Sequence, residues 1–238
     1  MLKCILIFIL CCWGSVFANE IKMAALGNSI SQGTDIFGFG IYPRYNWATG
    51  DLIDSVAMKL ERELNTPVVT KNLSILGAPS SLLWLEFEML GDFIPEFTTI
   101  EIGANDICQN THAEILANIR QILDKLLEKN PYMKIILMPI PRISSIPDAI
   151  DTLYCRTIWN VTCPYLLGVL VTKEQRATRQ LEVDGINYSM GEMVKNYPQV
   201  SFNPEVGTSP ITNAEISTVD CFHPSVIGQQ HLANSSFP

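Results

Sequence analysis

The chain is poor in positive charge, in histidine and in long apolar stretches. Its 238 residues carry 16 Lys and Arg against 24 Asp and Glu, a formal net charge of −8. With no basic cluster to meet phosphates, nucleic acid is excluded as a partner. An acidic surface of this kind implies solubility and says little about substrate. Beyond the first 18 residues, no apolar run approaches the ~20 residues that cross a bilayer. Residues 164–171 are apolar but far too short. Internal repeats and low-complexity tracts are also missing. No Cys-x-x-Cys pair is present, which argues against a structural zinc site.

What is there begins with a leader. Met1-Leu2-Lys3 is a short positive start, Cys4 to Phe17 is almost wholly apolar, and Val16-Phe17-Ala18 offers the small residues read by a signal peptidase. The pattern predicts a secretory signal peptide over residues 1–18, cut after Ala18, and one domain over residues 19–238. The expected location is secreted or periplasmic. Bulky Leu10 argues against a lipoprotein signal at Cys11 and Cys12. Of seven cysteines, Cys108, Cys155, Cys163 and Cys221 lie beyond the leader. An even number in an exported chain suggests disulfides, and four cysteines allow three connectivities. Asn72, Asn160, Asn187 and Asn234 each begin an Asn-x-Ser/Thr sequon, which matters only where the host cell glycosylates.

Strand-like and helix-like segments alternate. Ile21–Leu26, Val68–Asn72, Thr98–Ile102, Lys134–Met138 and Val200–Phe202 read as short buried strands. Asp51–Leu64, a segment ending at Leu90, Ala113–Lys129, Glu174–Tyr197 and Pro224–Asn234 read as helices. Ala113–Lys129 is the clearest, with Ile115, Leu116, Ile119, Ile122, Leu123, Leu126 and Leu127 on one side. This order predicts an α/β three-layer sandwich around a central parallel sheet of about five strands. In such a sheet ligands bind at the carboxyl ends of the strands. Three polar turns fall there, at Gly27-Asn28-Ser29, at Gly77, and at Gly103-Ala104-Asn105-Asp106.

Only three histidines exist: His112, His223 and His231. Asp220 precedes His223 by three residues, a spacing that on a helical turn puts carboxylate and imidazole on one side. A carboxylate there can hold one ring nitrogen and leave the other for a serine hydroxyl. His112 reads as a helix cap, and His231 as solvent-facing or satisfied in the core. Gly27-Asn28-Ser29-Ile30-Ser31 fails the Gly-x-Ser-x-Gly elbow at its last position, which disfavours the α/β-hydrolases. Alone, Gly27-Asn28-Ser29 is ordinary turn chemistry.

Four short blocks in order are more specific than any one of them. Leu26-Gly27-Asn28-Ser29, Asn72-Leu73-Ser74-Ile75-Leu76-Gly77-Ala78, Gly103-Ala104-Asn105-Asp106 and Asp220-Cys221-Phe222-His223 span nearly the whole chain past the leader. Together they resemble the SGNH, or GDSL-type, hydrolases. Trp47-Ala48-Thr49-Gly50-Asp51, Asn105-Asp106-Ile107-Cys108, Cys163-Pro164 and Asp220 to Ser225 resemble that family's phospholipase B-like branch. The resemblance implies a serine esterase acting on lipid acyl esters, phospholipids or lysophospholipids, without metal or other cofactor. It implies Ser29 as nucleophile, His223 as base and Asp220 as the acid that orients it. The Ser29 and Gly77 backbone N–H groups and the Asn105 side chain would form the oxyanion hole. Asn28 stands where the family usually has Asp; it keeps the turn's hydrogen bonds and loses the charge.

If Asn105 and His223 converge on one substrate, Cys108 and Cys221 should be neighbours. The expected bridges are therefore Cys108–Cys221 and the local Cys155–Cys163. Apolar Ile36, Phe37, Phe39, Ile41, Tyr42 and Trp84 favour an acyl chain, with transient contact to membranes or lipid aggregates. The alternatives are a carbohydrate O-acetylesterase or short-chain esterase, and a catalytically silent lipid-binding homologue.

Overall fold

The computed structural model describes residues 20–237. The expected leader and its cleavage point lie outside the described residues. Five strands form one parallel sheet in the order β2-β1-β3-β4-β5. They are β1 (Ile21–Gly27), β2 (Val68–Asn72), β3 (Phe97–Glu101), β4 (Lys134–Met138) and β5 (Val200–Ser201). The inner strands β1 and β4 carry the apolar runs because parallel strands covered on both faces need apolar side chains on both; β3 between them buries Thr98, Thr99 and Glu101 as well as Ile100. Met23, Ala24, Ala25 and Leu26 of β1 are wholly buried, as are Ile135 to Met138 of β4. The edge strands β2 and β5 are half-exposed.

The helices are α1 (Ser29–Gln32), α2 (Val56–Leu64), α3 (Leu83–Glu88), α4 (Ala104–Gln109), α5 (Ile115–Lys129), α6 (Ile146–Ala149), α7 (Leu153–Thr162), α8 (Pro164–Leu167), α9 (Lys173–Val194), α10 (Glu205–Thr208) and α11 (Val226–Ser236). α2 packs on α11, and α5 on α3 and α9, giving the expected three-layer arrangement. No described helix is long and apolar enough to cross a membrane.

Several boundaries differ from the sequence expectation for local reasons. The helix expected from Asp51 starts at Val56, because the Ser55 side chain caps it by accepting the Met58 N–H. Asp51 is instead drawn out of line by a two-pronged ion pair with Arg44. The long helix α9 runs through Gly185 and Gly191, anchored by a reciprocal capping box between Thr172 and Gln175.

The cysteine pairing corrects the sequence expectation. The bridges are Cys108–Cys163 and Cys155–Cys221, with Cα separations of 4.2 and 5.3 Å. Cys155 and Cys163 cannot pair, because α7 runs between them. Eight residues of helix at 1.5 Å each hold their backbones about 12 Å apart, beyond disulfide reach. α4 and the Cys221 loop are thus joined through α7 and α8, each to a different cysteine, and not directly.

Candidate active site

The spatial order β2-β1-β3 takes the chain from β1 to β2 on one side and then back across β1 to β3 on the other, and a crevice opens where the order reverses. Gly27 ends β1 at φ 146°, and a Cβ there would run into the Glu101 carbonyl, so only glycine lets β1 and β3 close up at this point. The next residue, Asn28, caps the helical turn α1 by accepting the Ile30 N–H at 2.9 Å. Ser29 is the first residue of that turn, where the backbone N–H is an orphan donor. The turn is pinned from three sides. The Asn72 amide donates to the Ser31 carbonyl, the Trp47 indole to the Ser31 hydroxyl, and the buried Gln229 amide of α11 to the Ile30 carbonyl.

His223 reaches Ser29 from the opposite end of the chain. Its Nε2 lies 2.7 Å from Ser29 Oγ, and its Nδ1 is hydrogen-bonded to Asp220 Oδ2. All three side chains belong to buried residues. The Asp220–His223 juxtaposition is not helical as the spacing suggested. Asp220 Oδ1 accepts the N–H groups of Phe222 and His223 at 3.0 and 3.1 Å, and Cys221 between them adopts φ 56°. The side chain thus closes its own turn, which aims the other oxygen at the ring. An antiparallel bridge between Ile216 and Pro224 pinches the base of this loop.

The second turn starts beside the end of β1, where the Ile75 N–H bonds the Gly27 carbonyl at 2.9 Å, and the third turn is fastened to the second. Gly77 sits in the turn Ile75–Ala78, closed by the Ala78 N–H on the Ile75 carbonyl, at φ 71°. No atom lies within 4 Å of an added Cβ, and the left-handed backbone is what requires glycine. Asn105 opens α4, and its side-chain N–H group bonds the Ala78 carbonyl at 3.1 Å, beside Gly77. Asp106, assigned no role from sequence, fastens the two turns together. Its carboxylate accepts the Ser80 N–H and hydroxyl at 2.8 and 2.7 Å, and burial raises its proton affinity.

Two more carboxyls, invisible as site residues in the sequence, lie under the Ser29 turn. Glu86 of α3 accepts the Gly27 N–H at 2.7 Å, and Glu101 of β3 accepts from the Asn28 amide at 3.2 Å. Burial pushes both from the ordinary 4.5 up to about 8, so both are mainly protonated at neutral pH. Asn28 therefore spans two demands, an acceptor for the helical turn and a donor to Glu101. His112 and His231 lie apart from this site. His112 faces Glu182 at 3.9 Å, and His231 is bonded to Glu215. Asp35, Asp220 and His223 are a described group whose ligand atoms could approach one cation, but Asp220 already holds the His223 nitrogen nearest it.

Comparison with known proteins follows this geometry. Solved structures with the same fold include the lipase Lip_vut3 from a goat rumen metagenome (16% identity, 90% of this chain and 95% of that chain, TM-score 0.58). The extracellular lipase of Streptomyces rimosus is 16% identical over 91% of this chain and 99% of its own, with TM-score 0.58. A family two carbohydrate esterase of Clostridium thermocellum is 13% identical over 90% of this chain and 61% of its own, with TM-score 0.55. At such identities the likeness is one of fold. No curated protein matches the sequence significantly. The model of the GDSL-like lipase/acylhydrolase family matches residues 25–231, from Ala25 near the end of β1 to His231 in α11, and the chain belongs to that family.

Proposed function

We propose that this protein is a secreted, metal-independent serine esterase that hydrolyses lipid acyl esters through Ser29, His223 and Asp220. The observation that carries the reading is the unbroken relay from Ser29 Oγ through the His223 ring to Asp220. As Ser29 attacks an acyl carbonyl, His223 Nε2 takes the hydroxyl proton and later gives it to the departing alcohol. Asp220 fixes the tautomer that leaves Nε2 free to accept. The oxygen of the tetrahedral intermediate faces the Ser29 and Gly77 N–H groups and the Asn105 amide. Donors of this kind are worth about 10²–10³ in rate each. Water then replaces the alcohol and releases the acid by the same steps.

A lipid substrate of the phospholipase or lysophospholipase class is supported by the apolar side chains left in water near the site. Phe37, Phe39 and Ile41 follow α1, Leu76 adjoins Gly77, and Trp84 lies on α3; all are about half-exposed or more. The test is labelling of the folded protein with a fluorophosphonate, followed by a panel of esters with acyl chains from two carbons upward. Labelling of the parent and its loss in Ser29→Ala are expected, with rates rising toward longer chains. A preference for acetyl esters would move the substrate to a carbohydrate O-acetylesterase type. Labelling that persists in Ser29→Ala would overturn the nucleophile.

A further inference from the structure

The relay leaves one carboxylate beside the imidazole unused. Asp35 Oδ2 lies 3.8 Å from His223 Nδ1, the nitrogen already held by Asp220. The Asp35 side chain is 15% exposed and that of Asp220 4%. Among the described residues, every lysine or arginine within ion-pair reach of an acid is paired with some other acid than these two. The imidazolium formed during turnover is therefore the cation closest at hand to both.

Asp35 is held in this place by its whole residue. It adopts φ 55° at the neck of the loop that follows α1. Its N–H bonds the Gly40 carbonyl at 2.8 Å, and its Oδ1 accepts the Gly40 N–H at 2.7 Å. That commits one carboxylate oxygen to the loop and leaves the other facing the ring. Ser217 sets the distance between them. Its hydroxyl donates to the Asp35 carbonyl, and its N–H donates to the His223 carbonyl at 2.8 Å. One buried serine thus grips the backbones of both residues.

We propose that Asp35 is a positioning residue for the hydrolysis described above, a second acid that stabilises the charged His223 ring while the proton of Ser29 rests on it. The inference stands on that reading of Ser29 and His223. With a neutral ring, Asp35 and Asp220 merely repel one another. Once the ring is charged, both attract it. The gain therefore appears mainly in the transition state, which raises turnover without tightening substrate binding. An opposite charge at this range, shielded from solvent, favours the protonated ring. Among the described residues, the titratable groups that face the ring are Asp220 on its own loop and Asp35 on the loop after α1. Ser29 faces Nε2, and the Phe222 ring packs edge-on.

Asp35→Asn separates charge from loop structure, because an asparagine oxygen still accepts the Gly40 N–H. Steady-state hydrolysis of a soluble p-nitrophenyl ester, measured across pH in parent, Asp35→Asn, Asp220→Asn and the double variant, is the test. In Asp35→Asn, kcat falls about 10-fold, KM is unchanged, and the acid limb of kcat/KM moves to lower pH. The loss on removing Asp35 is larger in the Asp220→Asn background, where Asp35 is the remaining acid. Ser217→Ala, which frees Asp35 from the ring without removing it, moves the limb the same way and serves if Asp35→Asn does not fold. An unmoved limb in both variants, or an equal loss in both backgrounds, overturns the inference and leaves the esterase intact. A parent that fluorophosphonate does not label fails at the earlier step and takes this inference with it.

Discussion

Glu101→Gln removes one ionisable proton from beneath the Ser29 turn while leaving an oxygen to accept the Asn28 amide. In the folded protein Glu101 is fully enclosed, and burial lifts it from 4.5 to about 8. Between those two values the unfolded chain is ionised and the folded chain keeps its proton. Stability contributed by the neutral carboxyl is therefore complete below pH 4.5 and is lost as pH rises through 8. The loss runs at 1.36 kcal/mol per pH unit, so at pH 7 it amounts to about 3 kcal/mol, a large fraction of a typical folding free energy. Glutamine has no such loss. The variant should match the parent near pH 4.5 and exceed it by up to about 3 kcal/mol at pH 7. Urea denaturation followed by tryptophan fluorescence at half-unit pH intervals measures the difference. A gap that stays constant from pH 4.5 to 8 would refute the claim that Glu101 is neutral by burial. Glu86, linked to Glu101 by mutual repulsion of their charged forms, should show the same trend when changed to glutamine.

Gly77→Ala has room for its methyl group but must adopt a left-handed backbone; thermal melts should show a loss of roughly 1–2 kcal/mol, with activity falling further. Asn105→Ala should lower kcat by about 10²–10³ with little change in KM, if its amide meets the developing oxyanion; an unchanged kcat counts against that role. Proteolysis without reductant, followed by mass spectrometry, should release Cys108 linked to Cys163 and Cys155 linked to Cys221. Recovery of a Cys155–Cys163 peptide would show the pairing to be wrong.

The parts of the fold that could be read from sequence are those where one local pattern decides the outcome. β2 and β4 have the predicted ends, and α5 begins two residues late, because apolar side chains at a strand or helix period leave little choice. The blocks holding Ser29, Asp220 and His223 stand out in the sequence only through their order along the chain, since Gly27-Asn28-Ser29 alone is ordinary turn chemistry and Asp220 to His223 lies in a loop outside the strands. The cysteine pairing could not be read. Cys155–Cys163 reads as a local pair in the sequence, but α7 lies between them and a helix turns eight residues into a rigid spacer. Glu86 and Glu101 escaped for a related reason. An acid in a strand or helix reads as solvent-facing until burial is known. Asp35 sits in a glycine-rich loop, where nothing in the sequence joins it to a histidine 188 positions later.

The neck at Asp35 and Gly40 has a further use. Thr34 pairs with Ile41, the Tyr42 N–H bonds the Gly33 carbonyl, and Asp35 and Gly40 exchange two bonds. Above this neck Ile36 is buried and Phe37 packs edge-on against Tyr42 and Tyr45, which leaves Phe39 as the exposed tip. Phe39 is therefore the place where a side chain can be exchanged in the laboratory without disturbing the neck or the nucleophile upstream. Substitutions there offer a way to retune which esters the enzyme meets while its chemistry stays fixed.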